Sequence, residues 1–332
     1  SGLLKKIIYP QYFIEPHILE LPDQPILRMI ELKKRYYLYN NMNESPFGEN
    51  DVSVIYANQF HYFLGTVRGA VFQYDVSGCD FKELKIPYNS IVNNSITGIL
   101  QVNDLLVISS FSGIYMYNLN TDEMTEPLDK TLETSIITMC NSGNIVYLGS
   151  TDGSLYKWDL HNMVFTKIFH LDKRSISAVN LLNGRLLAGT NRGELFEIRE
   201  NSGIYSPVNP VNEMTEGSKI TFIKFFDKKF WIGASGSGLL LFDRDLSSGE
   251  IVNDKSWFLS SSQSKNFIYF GTHGDGILIY DRIGSTWLEW GIRNGLSSLY
   301  IPSLYCKDDN LYISTPDEGI VIINEQIHEQ KL

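Results

Sequence analysis

The sequence has few cysteines: Cys79, Cys140 and Cys306 are the only three in 332 residues, and none stands in a CxxC spacing. So odd and sparse a set argues against a disulfide framework and points toward a reducing compartment. The triplets Asn43-Glu44-Ser45 and Asn93-Asn94-Ser95 fit glycosylation sequons and keep the compartment open. No apolar run reaches the roughly 18 residues of a membrane helix, so no membrane insertion is expected of this chain. The opening SGLLKKIIYPQYF has no apolar stretch or cleavage site of a signal peptide, and Ser1-Gly2 reads as a cloning scar. Positive charge is scarce as well. The net charge is −10, and the densest basic clusters are Lys33-Lys34-Arg35 and Lys228-Lys229, both read at turns. Nucleic-acid binding needs clustered cations that displace counterions, so a nucleic-acid partner is not expected.

What is abundant is strand-forming residues. Nineteen Tyr and eighteen Phe, with many Ile, Val and Thr, favour β-structure. One pattern recurs seven times: two or three apolar residues, a small residue, a polar turn, a glycine, then an alternating strand. YFLGTVRGAVFQYD (62–75), YLGSTDGSLYKWD (147–159) and YFGTHGDGILIYD (269–281) are three of the copies. The small residue falls at Gly65, Ser109, Gly149, Gly189, Gly233, Gly271 and Ser314, at intervals of 38 to 44. The turn glycine follows at Gly69, Gly113, Gly153, Gly193, Gly238, Gly276 and Gly319. A period near 40 with segments alternating every second residue is the signature of four-stranded propeller blades, and it excludes a helical solenoid. In the sixth unit SWFLSSSQ reads as strand A, NFIYFGT as B, GILIYDR as C and TWLEWG as D. The turn glycines supply positive φ for the B–C hairpins. The small residues at the end of strand B are expected to allow neighbouring blades to approach closely.

The expected fold is therefore all-β: a seven-bladed β-propeller of four-stranded antiparallel blades over residues 51–332. Residues 1–50 are read as strands that close or cap the ring. Within them ILRMIELKKRYYLYN reads as a hairpin turning at Lys33-Lys34, and YFIEPHILEL (12–21) as the segment that pairs with the last blade. An eight-bladed ring with one defective blade is the alternative.

The blades FWIGASGSGLLLFDRD and IYFGTHGDGILIYDR resemble those of the two-component regulator propeller family. NGLSSLYIPSLYCKDDNLYISTPDEGIVIIN (294–324) is similar to that family's longer repeat, in which Asn-Gly-Leu opens each blade. GSTDGSLYKWDL (149–160) looks equally like a WD-repeat, with Trp158-Asp159 closing strand C, although the Gly-His pair of such repeats is absent throughout. The first resemblance implies an extracytoplasmic ligand-sensing domain of a bacterial receptor. The second implies a docking platform for proteins in a larger assembly.

The glycine-rich GASGSGLLLFD lacks the lysine of a phosphate loop and runs into a strand, so it reads as one of seven equivalent turns. His273 and Asp275 supply too few ligands for zinc, and STDG and TPDEG too few oxygens for calcium. Asp75, Asp159, Asp243 and Asp281 recur at the end of strand C as turn formers. Ser235 and Ser237 have no G-x-S-x-G frame. No catalytic residue, cofactor or metal is expected. The residues that vary on the B–C turns, Arg68, Phe111, Asp152, Arg192, Ser235, His273 and Glu318, are the candidate partner-binding face. A protein partner is expected there, with a small ligand as the second possibility. The expectation is a non-catalytic interaction platform, the receptor sensor being the alternative.

Overall fold

The computed structural model describes residues 13–14, 26–38, 52–75, 80–84, 94–125, 134–182, 184–200, 202, 204–296, 298–307, 310–315 and 319–331. Seven antiparallel sheets succeed one another along the chain, as the sequence period requires. Blade 1 comprises Val52–Ala57, His61–Thr66, Val71–Asp75 and Asp80–Leu84 as strands A to D. Blades 2 to 6 begin with strands A at Ile96–Val102, Ile136–Ser142, Ile176–Leu182, Lys219–Phe226 and Phe258–Gln263. In blade 6 strands B, C and D are Phe267–Thr272, Ile277–Asp281 and Thr286–Trp290, where the sequence places them. The ring is seven-bladed, not eight.

The burial gradient explains the sequence pattern. Strand B is covered by neighbouring blades on both faces, so Val146–Ser150 and Leu186–Thr190 are buried without alternation. Strand D lies outermost, and in blade 3 (Val164–His170) only Phe169 is fully buried. There is no single core. Seven apolar clusters sit one at each blade junction, including the junction that closes the ring, where Val52, Ile55, Leu64 and Phe72 of blade 1 meet Tyr312, Ile320 and Ile322 of blade 7. Apolar burial drives this packing, and each junction shares it with both neighbours.

The small residues at the end of strand B do what their size suggests. A Cβ on Gly65 would lie 2.4 Å from Ile96 of the next blade, and one on Gly189 would lie 2.7 Å from Ile220 of the next. Gly233 differs: its contact is Phe222 of its own blade, at 2.4 Å.

Blade 7 corrects one expectation. Its strands A to C are Leu304–Lys307, Asn310–Thr315 and Gly319–Lys331, and the next strand is Ile26–Leu38, paired from Ile26↔Lys331 to Leu38↔Ile320. The stretch read as a hairpin at Lys33-Lys34 is thus one continuous 13-residue strand. Two lysines offer no turn chemistry: neither Gly, Asn nor Pro stands there to accept positive φ or fix a bend. The local irregularity is a one-residue register shift between Lys34 and Tyr36, which bends a strand without reversing it. Where it is described, segment 12–21 joins the last blade, as its sequence suggests, through that blade's fourth strand. Its described part, Phe13–Ile14, pairs with Glu31 and Ile30 as a fifth strand, and 15–21 lie outside the described residues. A seven-residue helix, Asn209–Thr215, fills the connection from blade 4 to blade 5 and buries Val211.

Candidate functional site

Strand A of each blade faces the ring axis, and a bulge near its start shapes the channel. The register with strand B skips one residue in blades 1 to 6, at Ser53, Thr97, Ile137, Ser177, Thr221 and Leu259. A bulge leaves its extra residue outside the ladder. Four of these residues use that freedom to donate a hydroxyl to the next blade. Ser53 Oγ bonds the Ile96 carbonyl at 2.8 Å, Thr97 Oγ1 that of Ile136 at 2.6 Å, Ser177 Oγ that of Ile220 at 2.7 Å, and Thr221 Oγ1 that of Phe258 at 2.8 Å. In blade 6 the neighbouring Ser260 Oγ reaches the Ile301 carbonyl at 3.1 Å. Blade 3 has Ile137 at this position, which carries no hydroxyl to offer blade 4. Donated hydroxyls thus stitch the inner strands together at five of the seven junctions.

Inside this ring lies a channel of about 430 Å³. Val54, Ile99, Leu100, Met139, Leu259 and Pro302 give it apolar wall, and Lys219 and Lys224 give it charge. An adjoining cavity of about 410 Å³ forms its upper mouth; it shares Lys219, Thr97 and Ser303 with the channel and adds Phe111 and Thr151. The B–C turns and D–A connections meet on this upper face. Phe111 N–H donates to the Ser95 carbonyl, and Ser135 Oγ donates to the Phe111 carbonyl at 2.6 Å.

The structure distributes the candidate face residues around the ring. Arg68, Phe111, Asp152 and Arg192 lie on exposed B–C turns, Ser235 and His273 flank theirs, and Glu318 is outside the described residues. Of the six described, only Phe111, 37% exposed, lines the channel mouth. Asp152 is turned into its own hairpin, where it accepts the Ser150 hydroxyl and the Ser154 N–H at 2.9 Å. Burial works against its charge, but these hydrogen bonds outweigh it and hold the carboxyl below its ordinary value. His273 packs between Trp257 and Tyr300, with ring centroids 5.9 and 5.0 Å away. Tyr300 in turn lines the channel. Among the recurring aspartates, Asp159 and Asp281 accept backbone N–H groups two and three residues on, as turn formers do. Asp275 N–H is held by Thr272 Oγ1 at 2.9 Å. Among the described residues, no group of three His, Cys, Asp or Glu side chains could hold a metal ion.

The lysines in the channel are a feature the sequence reading missed. Lys219 and Lys224 are five apart, and in a regular strand they would face opposite sides. The bulge at Thr221 restores parity: they pair with Ser235 and Trp231, four apart on strand B, and both reach the channel. Burial pushes the Lys224 amine below its ordinary value, and burial pushes the nearby Cys140 thiol up to about 12. The sequence did hold a signal. The residue before each bulge (Val52, Ile96, Ile136, Ile176, Ile220, Phe258) stands 13 positions ahead of the small residue of strand B, and Ile301 does so in blade 7. An apolar residue recurs there in every blade, followed by Ser or Thr in blades 1, 2, 4 and 5.

At the lower face a groove of about 890 Å³ carries Arg185, Lys228, Lys229 and Arg244 opposite Glu197, Asp227, Asp243 and Asp245. Its charges are balanced, and Arg185 and Glu197 form an ion pair at 2.5 Å.

No family model and no curated protein sequence matches the chain. Solved structures do match. The extracellular domain of BT4673 from B. thetaiotaomicron, described in one structure as a one component system and in another as a hybrid two component system, aligns with a TM-score of 0.71. Identity is 18–19% over 86–87% of this chain. The extracellular domain of the hybrid two component system BT3049 from the same organism aligns at 0.65, with 21% identity over 82% of this chain. The chain spans about two-fifths of the length of these domains, 39–40%. A computationally designed protein, Ika8, aligns at 0.59 with 14% identity, and the chain covers 97% of it. The likeness establishes the fold: a seven-bladed propeller that resembles two-component regulator propellers. Among the described residues no helix is long and apolar enough to cross a membrane.

Proposed function

We propose that this propeller is a non-catalytic ligand-sensing domain of a membrane receptor of the two-component type. The observation that carries the reading is the correspondence of the ring, over 82–87% of its length, with the extracellular domains of BT4673 and BT3049. It favours the receptor over a general docking platform, for which the scattered turn residues offer no contiguous patch. The channel has the size of small-molecule sites, about 300–1,000 Å³. Seven junctions packed like a domain interior would make the ring a stiff frame, suited to passing a binding event to a neighbouring domain rather than to making bonds. In this reading residues 1–50 close the ring formed by 51–332.

The test uses the full-length gene product in its own cell. Protease added to spheroplasts is expected to cleave the propeller from outside, and the complete chain is expected to carry a membrane helix and a signalling segment. A product confined to the cytosol, with neither segment, overturns the reading.

A further inference from the structure

The channel and its mouth carry two lysines and no Asp, Glu, Arg or His, in a protein whose net charge is −10. Among the described residues no carboxylate forms an ion pair with either lysine. Lys219 belongs to both cavities and stands at the entrance, while Lys224 lies four paired positions deeper, about 13 Å along the strand. Several of the hydroxyls that could compete as donors are already committed. Those of Ser53, Thr97, Ser177 and Thr221 point their hydrogens at carbonyls of the next blade. Those of Thr138 and Ser303 accept backbone N–H groups of the next blade and keep their own hydrogens. The lysine ammonium groups are therefore the charged donors open to a guest, beside the neutral hydroxyls of Thr138, Ser303 and Tyr300. The rest of the wall mixes hydroxyl residues with apolar side chains, from Ile99, Leu100, Met139 and Leu259 within to Phe111 and Pro302 at the mouth.

A cation withdrawn from water without a counterion is costly, and an anion arriving beside it recovers much of that cost. An inorganic anion would use the lysines and hydroxyls but leave Ile99, Leu100, Met139 and Leu259 uncovered. A guest with one charged end and an apolar body suits both features.

We propose that the axial channel binds a small organic carboxylate, its charged end held by Lys224 and its apolar body lying toward Phe111, with Lys219 drawing it into the mouth. This deepens the receptor reading and rests on it for its biological use; the binding itself stands or falls separately.

Benzoate serves as the probe, with neutral benzamide and inorganic phosphate as the comparison arms, in calorimetric titration and thermal unfolding of the whole chain. Benzoate is expected to bind saturably and raise the unfolding temperature, and benzamide and phosphate to do neither. Lys224→Met is expected to weaken benzoate at least about tenfold while leaving the unliganded protein as stable or more so, since an unpaired cation is removed. Lys224→Gln, which keeps a polar end, is expected to fold and show the same loss. Lys219→Gln is expected to weaken binding less and to reduce its dependence on salt. Undiminished benzoate binding in Lys224→Met, equal binding of phosphate, or no binding to the parent chain overturns the proposal. So does a loss of unliganded stability in both Lys224 variants, which would make the lysine structural. Benzoate binding by a product found in the cytosol would keep the site and remove the receptor role. An extracytoplasmic product that ignores benzoate would do the reverse.

Discussion

Gly193 and Gly113 occupy the same turn position in blades 4 and 2, and replacing each with alanine separates two costs that usually arrive together. Both have positive φ, +84° and +138°, where an alanine is strained by about 1–3 kcal/mol. They differ in what a methyl group would meet. At Gly113 nothing lies within 4 Å. At Gly193 the new carbon would fall 1.8 Å from the Thr215 carbonyl oxygen, the last residue of the short helix, and 3.0 Å from that of Ser218. A backbone oxygen cannot swing aside as a side chain can. The turn must part from the helix, putting at risk the hydrogen bond from Thr215 Oγ1 to the Gly193 carbonyl and the docking of Val211. Overpacking of this kind costs about 1–3 kcal/mol and a broken hydrogen bond about 1 more. Gly193→Ala is thus expected to lose about 3–7 kcal/mol and Gly113→Ala about 1–3. The first would consume much of a typical stability of about 5–15 kcal/mol. Urea denaturation followed through the buried Trp158, Trp231 and Trp290 measures both. Equal losses would refute the argument, because they would mean that conformational strain alone governs these turns.

The inter-blade hydroxyls and the carboxylates give further expectations. Ser177→Ala removes the bond to the Ile220 carbonyl and is expected to cost about 1–2 kcal/mol by the same assay, with no loss pointing to a bond of no net value. Glu200 bridges blades 3 and 4 by accepting Tyr147 O–H and Lys157 Nζ, each at 2.6 Å. Burial opposes its charge, but these partners outweigh burial and hold its carboxyl below the ordinary value of 4.5. Its contribution is therefore complete above about pH 4.5 and lost as pH falls through the lower, folded-state value. Glu200→Gln is expected to be less stable than the parent near neutrality and to converge on it in acid; a constant difference down to pH 3 would contradict the assignment.

The ring was legible in the sequence because its signals are local and repeated. Each B strand is buried on both faces and so reads as an unbroken apolar run, and each hairpin needs a glycine at a fixed distance from it. Blade 6 could be divided into its four strands from sequence for that reason. The N-terminal strand was misread because its partner, Gly319–Lys331, lies nearly three hundred residues away, and the polar centre at Lys33-Lys34 was given more weight than the lack of turn residues there. The channel was missed for a subtler reason. Period-two counting puts Lys219 and Lys224 on opposite faces, and only the one-residue bulge at Thr221 brings them together. The turn residues were visible as a set, but strands as far apart as Phe111 and His273 place them on different sectors of the face, and only Phe111 reaches the mouth.

Pairing Ile26–Leu38 with Gly319–Lys331 sets a timetable for synthesis. Ile26–Leu38 leaves the ribosome before any strand on the inner side of its sheet exists, and its partner emerges after the other six blades of the ring have been made. At about 5–20 residues per second, the interval is roughly 15–60 s. Throughout it the strand must be kept from pairing with the exposed edges of nascent blades, or with another nascent chain. Blades 1 to 6 can collapse in order as they appear, whereas the seventh can only be completed after its last strand is released. The step of ring formation most exposed to misassembly is therefore its closure.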